Sequence, residues 1–128
     1  MLRRTFLLLI LPAALAGCAS SQPPWSVVTG QRYHAAAEHR FPAIIVSVGT
    51  TNGWPDGNDL QVSPGLQTVT IQARSSRWFR RMDERAFQLN VEPCKRYYVN
   101  AQFPDNLSSD FAPVVDHVET IPGCRVKA

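Results

Sequence analysis

The sequence predicts an all-β chain, folded as a single antiparallel β-sandwich of about six to seven short strands. Three observations carry that expectation. Several segments alternate apolar and polar residues with period two, as a strand with one buried face does. Turn signals built from Pro, Gly, Asn and Asp separate them. No convincing long helical pattern interrupts the series. Many short strands at this spacing point to an Ig-like or transthyretin-like sandwich, with a closed barrel as the second architecture.

In chain order, Trp25-Ser26-Val27-Val28-Thr29 reads as a first short strand. Between Gly30 and Arg40 the run His34-Ala35-Ala36-Ala37-Glu38-His39 suits one helical turn, because alanine favours helix. Pro42 would end it, since the residue before a proline avoids the α region. Ala43 to Val48 is short, β-branched and bounded by Pro42 and Gly49, which predicts a strand. Gly49 to Asp59 carries three glycines, a proline and two asparagines and reads as a loop. Leu60 to Ser63 leads into the Pro64-Gly65 turn. Leu66 to Arg74 alternates cleanly, with Val69, Ile71 and Ala73 inward and Thr68, Thr70 and Gln72 outward. Ala86 to Glu92 repeats this with Phe87, Leu89 and Val91 inward. Pro93-Cys94-Lys95 makes a tight link. Arg96 to Phe103 puts Tyr97, Val99, Ala101 and Phe103 on one face. Pro104 to Asp110 is a polar loop, and Val114 to Ile121 is the last strand, less regular because Val114 and Val115 are both apolar. The three alternating strands are expected to pair in sequence as a meander.

The first residues have a different character. Met1-Leu2-Arg3-Arg4 is a positive start, Thr5 to Leu11 an apolar core, and Pro12 to Gly17 a small-residue end, the layout of a secretory signal. The apolar stretch is too short for the roughly 20 residues of a membrane-spanning helix. Leu15-Ala16-Gly17-Cys18 resembles the lipobox of bacterial lipoproteins. That resemblance implies cleavage before Cys18, a diacylglycerol on its thiol and an acyl chain on its new amino group. The chain then divides into a signal peptide at 1–17, a lipidated tether at 18–24 and a β domain at 25–128. Pro23-Pro24 favours extended geometry and spaces the domain from the bilayer. Ala19 stands where enterobacterial inner-membrane lipoproteins carry Asp, which implies the outer membrane, with the domain facing the periplasm.

Removing 17 residues from 128 leaves 111, enough for one modest core. The whole-chain charge is +3, but loss of Arg3 and Arg4 leaves 11 basic and 10 acidic residues. A near-neutral exported domain gives no argument for a nucleic-acid partner. With Cys18 lipidated, Cys94 and Cys124 remain as an even pair in an oxidising compartment and read as one disulfide. The rival reading, a metal pair, lacks Cys-x-x-Cys spacing.

The segment from Val62 to Cys124 looks like a recurring type of small proteobacterial lipoprotein domain of unassigned function. The residues that carry this are Ser63 to Val69, Val91 to Ala101, Phe111 to Asp116 and Ile121-Pro122-Gly123-Cys124. More loosely, a Pro-Gly turn before an alternating strand is similar to PEGA-type surface modules. Here Ser47-Val48-Gly49-Thr50 replaces their Val-Asp-Gly hairpin. The resemblance implies fold and compartment, and brings no catalytic residues.

Arg74, Arg77, Arg80, Arg81 and Arg85 fall within 12 residues, with Trp78 and Phe79 among them, where a hairpin loop is expected. Arginine forks bind carboxylates and phosphates, so this loop is a candidate surface for an anionic envelope partner: peptidoglycan, lipid A or a protein face. The plainer reading is a solvated loop offset by Asp83 and Glu84. Trp54, in the Gly-rich loop, is a candidate anchor, or plugs one end of the sandwich. His34 and His39 are five apart, which does not align them on a helix, and no metal or other cofactor is expected beyond the lipid on Cys18. No Gly-x-Ser-x-Gly elbow is present. Asp116 and His117 are adjacent, so on a strand they point to opposite faces and form no orienting pair. A transthyretin-like hydrolase would end in Tyr-Arg-Gly-Ser, which is missing. The expectation is a non-enzymatic structural or adaptor lipoprotein, with a hydrolase inhibitor such as a lysozyme inhibitor, and then a small-ligand carrier, as alternatives.

Overall fold

The structure is a computed structural model and describes residues 24–34, 37–53, 59–73 and 83–125. Within them the chain is all-β, with eight strands: β1 (Ser26–Thr29), β2 (Arg40–Val48), β3 (Thr51–Asn52), β4 (Asp59–Val62), β5 (Gly65–Ala73), β6 (Glu84–Val91), β7 (Lys95–Gln102) and β8 (Ala112–Thr120). They join in one sheet of order β4-β1-β7-β2-β5-β6, with β3 on β2 and β8 on β7. The expected strands are all present. The two extra ones, β3 and β4, lie in and just after the expected Gly49–Asp59 loop.

Strand β7 is the spine. One of its edges carries β8 along its whole length. The other is shared by two strands that meet head-on. β1 runs parallel to β7 across Arg96–Tyr98, and β2 enters antiparallel opposite Gln102–Asn100. They collide at Gly30 and Ala43, where the Ala43 N–H donates to the Gly30 carbonyl at 2.9 Å. A Cβ on Gly30 would stand 1.8 Å from the Ala43 oxygen, so only glycine fits. With β7's edge already occupied, β2 leaves it and from Ala43 onward pairs with β5. Pro42 therefore lies inside β2 and not at its border. It sits where one ladder ends and the next begins, a place a residue without an N–H tolerates. The fully antiparallel arrangement expected from sequence is corrected by the same event, because β1 approaches β7 from its own N-terminal side.

The expected meander holds for β5 and β6, which pair from Gly65–Val91 to Gln72–Glu84. It fails for β6 and β7, which have no ladder between them. Glu92-Pro93-Cys94 is an arch that carries the chain from one ladder to the other, with Cys94 in the left-handed region at φ 60°. Side chains satisfy the arch in place of a ladder. Ser26 Oγ donates to the Glu92 carbonyl and accepts from Lys95 N–H, and Tyr97 Oη accepts from Glu92 N–H at 2.7 Å. The expected helical turn at 34–39 is, in its described part, a single turn with His39 left-handed at φ 54°.

The apolar face of each ladder feeds one core. Val28, Tyr97, Val99 and Ala101 from around β7 pack with Ala43, Ile45, Val69, Ile71, Leu89 and Val91. Phe41, Phe103 and Phe111 close one end in a chain of ring contacts at 5.5 Å each. Inward alternation in β5, β6 and β7 is as the sequence predicts.

Cys94 and Cys124 form a disulfide, Cα atoms 5.5 Å apart and 30 residues apart in sequence. It fixes the arch to the tail after β8, beside the bond from Ile121 N–H to the Cys94 carbonyl. Closing a loop of this length is worth about 3–4 kcal/mol in the chain-entropy account. Urea unfolding of Cys94→Ser with Cys124→Ser is expected to show a loss of that order. A reductant is expected to reproduce the loss in the wild type and leave the double variant unchanged.

Candidate functional site

Several residues singled out from sequence lie outside the described residues: Cys18, Trp54, Arg74, Arg77, Arg80 and Arg81. Arg85 is described. It lies on β6, bonds Asp110 Oδ1 at 3.1 Å and holds its guanidinium 5.2 Å over the Phe111 ring. That placement ties β6 to the segment before β8 and covers the aromatic end of the core. Two shallow surface depressions, about 470 and 370 Å³, flank Pro24 and Trp25. The first is lined by Gln61, Ser63 and Pro64 among others, and the second by Pro122, Gly123 and Arg125. Among the described residues no three of His, Cys, Asp or Glu converge as metal ligands.

The most organised polar cluster lies on the outer face of β7 and β8, and it forms because of the collision at Gly30. Between β1 and β2 the chain must detour, and residues 31–34 cross over β7 to reach β8. Asn100 Nδ2 on β7 donates to the Gln31 carbonyl at 3.2 Å, and the crossing leaves Asn100 fully buried. On β8, Tyr98 pairs with His117 while Val99 pairs with Val115, so Asp116 is an extra residue in a β-bulge. The bulge breaks the alternation. Asp116 and His117, expected to face opposite ways, both engage Tyr33-His34. The bulge also explains why the apolar pattern of this strand is irregular.

Asp116 is the centre of the cluster. Its Oδ2 accepts the N–H groups of Tyr33 at 3.2 Å and His34 at 3.0 Å, and its Oδ1 pairs with Arg40 Nη1. Arg40 Nε in turn donates to Gln102 Oε1 at 2.8 Å. The Asp116 side chain is 0% exposed. Burial alone pushes its carboxyl pKa up, but the His34 N–H and the Arg40 guanidinium outweigh that and hold it below the ordinary carboxylate value.

Above this base sits a group of rings. Tyr33 stacks on His117 with centroids 3.7 Å apart and planes within 8°. His34 meets Tyr33 edge-on at 4.8 Å, and Tyr98 lies 5.0 Å away, tilted by 59°. The Tyr98 hydroxyl donates to Glu119 Oε1 at 2.8 Å; burial, then this bond, raises its pKa against the opposing pull of Arg96. Glu119 also faces Arg96 Nη1 at 3.5 Å. Sequence reading missed this group. Tyr33 and Asp116 are 83 residues apart, and no local pattern joins them.

No protein-family model, curated protein or solved structure matches the chain.

Breaking the buried pair is expected to be costly. Asp116→Ala leaves Arg40 and two N–H groups without their acceptor, with an expected loss of roughly 2–4 kcal/mol, tempered because Arg40 keeps some water contact. The pH dependence has a definite sign. A carboxyl with a lowered folded pKa stabilises above its unfolded value, near 4, and loses that contribution as pH falls through the folded value. Urea midpoints from pH 7 to about 2.5 are expected to decline below roughly pH 4, and less steeply in Asp116→Ala.

Proposed function

We propose that the protein is a lipid-anchored lipoprotein of the bacterial envelope, held at the outer membrane by Cys18. Its β domain is a non-enzymatic structural or adaptor module in the periplasm. The observation that carries this reading is the leader: Arg3-Arg4, the apolar core, then Leu15-Ala16-Gly17-Cys18. The Cys94–Cys124 disulfide supports it, because such bonds persist in oxidising compartments.

The domain is a two-layer sandwich in this reading, β4, β1, β7 and β8 in one layer and β3, the main part of β2, β5 and β6 in the other. Two features support that division. β2 changes partner at Ala43, and one apolar cluster draws on strands from both groups. The partner surface is the arginine loop with Arg77, Arg80 and Arg81, suited to carboxylates or phosphates of the envelope.

The anchor is tested by Cys18→Ser. The wild type is expected in the membrane fraction with incorporated palmitate, and the variant soluble or held as uncut precursor without palmitate. Palmitate-free wild type rejects the reading. The surface is tested by a photocrosslinking side chain at Arg80 in living cells. A dominant envelope protein or peptidoglycan fragment is the expected capture, lost in Arg77→Ala with Arg81→Ala. Failure to capture any such partner removes the arginine loop from the proposal.

A further inference from the structure

We infer that Tyr33 is the stacking platform of a saccharide-binding site on the outer face of β7 and β8. The platform rests on described residues alone; the choice of envelope saccharides as its ligands rests on the placement proposed above.

Among the described residues no ring lies over one face of Tyr33. His117 covers the other, parallel and 3.7 Å away. His34 is 4.8 Å from Tyr33 and 6.2 Å from His117, and Tyr98 is 5.0 and 5.9 Å from the same two rings. Each of these triangles has a near-right angle at Tyr33. His34 and Tyr98 therefore stand at the rim of the ring and not over its second face. Tyr33 is 45% exposed, among the larger apolar exposures of the described surface.

The platform is held in place before any ligand arrives. Its own N–H and that of His34 both end on the buried Asp116 carboxylate. A group fixed in this way gives up little conformational entropy on binding.

The rim and the charges select the ligand. An aromatic face is electron-rich and attracts polarised C–H bonds, which the flat face of a pyranose presents. The His34 imidazole stands beside it as a partner for sugar hydroxyls, and the neighbouring Tyr98 carries a hydroxyl bonded to the Glu119 carboxylate, whose remaining oxygen lone pairs can accept more. A cationic ligand fits less well. Glu119 already faces Arg96, Asp116 is committed to Arg40, and two rings 5.0 Å apart leave no space for an ammonium between them.

Pyranose rings in an envelope come from the wall glycan or from lipopolysaccharide, and the test separates them. The full chain, in detergent, is titrated calorimetrically with three probes: a β-1,4-linked N-acetylglucosamine tetramer, delipidated lipopolysaccharide core oligosaccharide, and choline. Binding of one or both saccharides is expected. Binding of the tetramer alone assigns wall glycan, of the core alone lipopolysaccharide, and of both a general pyranose site. Tyr33→Phe is expected to bind as the wild type does. Tyr33→Ala, and Tyr33→Leu, which keeps apolar bulk without a flat face, are expected to weaken binding about tenfold or more, or ~1.4 kcal/mol. Both are expected to stay folded, with at most a small fall in melting midpoint from the lost stack on His117, since the Asp116 bonds to the backbone of residues 33 and 34 remain. The inference is overturned if neither saccharide binds at about 10 mM, where a millimolar ligand would saturate. Choline bound in place of both sugars overturns it, as does unweakened binding by either the Ala or the Leu variant.

Discussion

Two strands compete for one edge of β7, and the rest of the architecture follows from where they meet. β1 climbs that edge in parallel and β2 descends it antiparallel, until Gly30 and Ala43 touch. Backbone hydrogen bonding cannot be shared beyond that point, so β2 turns away to β5 and carries the chain into the second ladder. The same contact forces residues 31–34 off the edge and across the outer face. One glycine without a side chain thus sets both the partner change of the sheet and the position of the candidate site. A methyl group there would meet backbone, which cannot move aside as a flexible side chain can.

The two ladders are held in register by tertiary contacts where no strand pairing exists. At the arch after β6, the hydroxyls of Ser26 and Tyr97 take up backbone groups that a hairpin would have paired, and the disulfide fastens the turn to the tail. At the opposite end, Phe41, Phe103 and Phe111 pack in sequence with Arg85 across the last ring. Arg85 spends its guanidinium on this closure. A charge in a basic run can be structural, and membership of the run does not reveal which.

What was legible in the sequence follows the range of the interaction that produces each feature. β5, β6 and β7 were read almost to the residue, because period-two alternation reports one buried face and requires only local information. The Cys94–Cys124 bond was legible by counting. The parallel β1–β7 pairing, the path of β2 through Pro42 and the absence of β6–β7 pairing were not, because each depends on which strands distant in sequence share an edge. The site was least legible. The bulge at Asp116 shows in sequence only as a defect of alternation, Val114 and Val115 both apolar, and strict alternation then set Asp116 and His117 on opposite faces.

The Asp116–Arg40 pair makes sense as a positioning device more than as a source of stability. A buried ion pair seldom outperforms apolar residues of the same volume, because desolvation consumes most of the Coulombic gain. Residues 31–34 are all exposed, so hydrophobic burial does not hold them down. Their order comes from the Asp116 carboxylate, the Asn100 amide and the stack on His117. A scaffold needing only a covered sheet face would cover it with apolar side chains. Here a charge is buried, its pKa held down against that burial by the His34 N–H and the Arg40 guanidinium, and the same carboxylate takes the Tyr33 N–H that sets the ring. An exposed aromatic fixed by a buried carboxylate is what a surface requires when it must meet a weakly attractive ligand without first ordering itself.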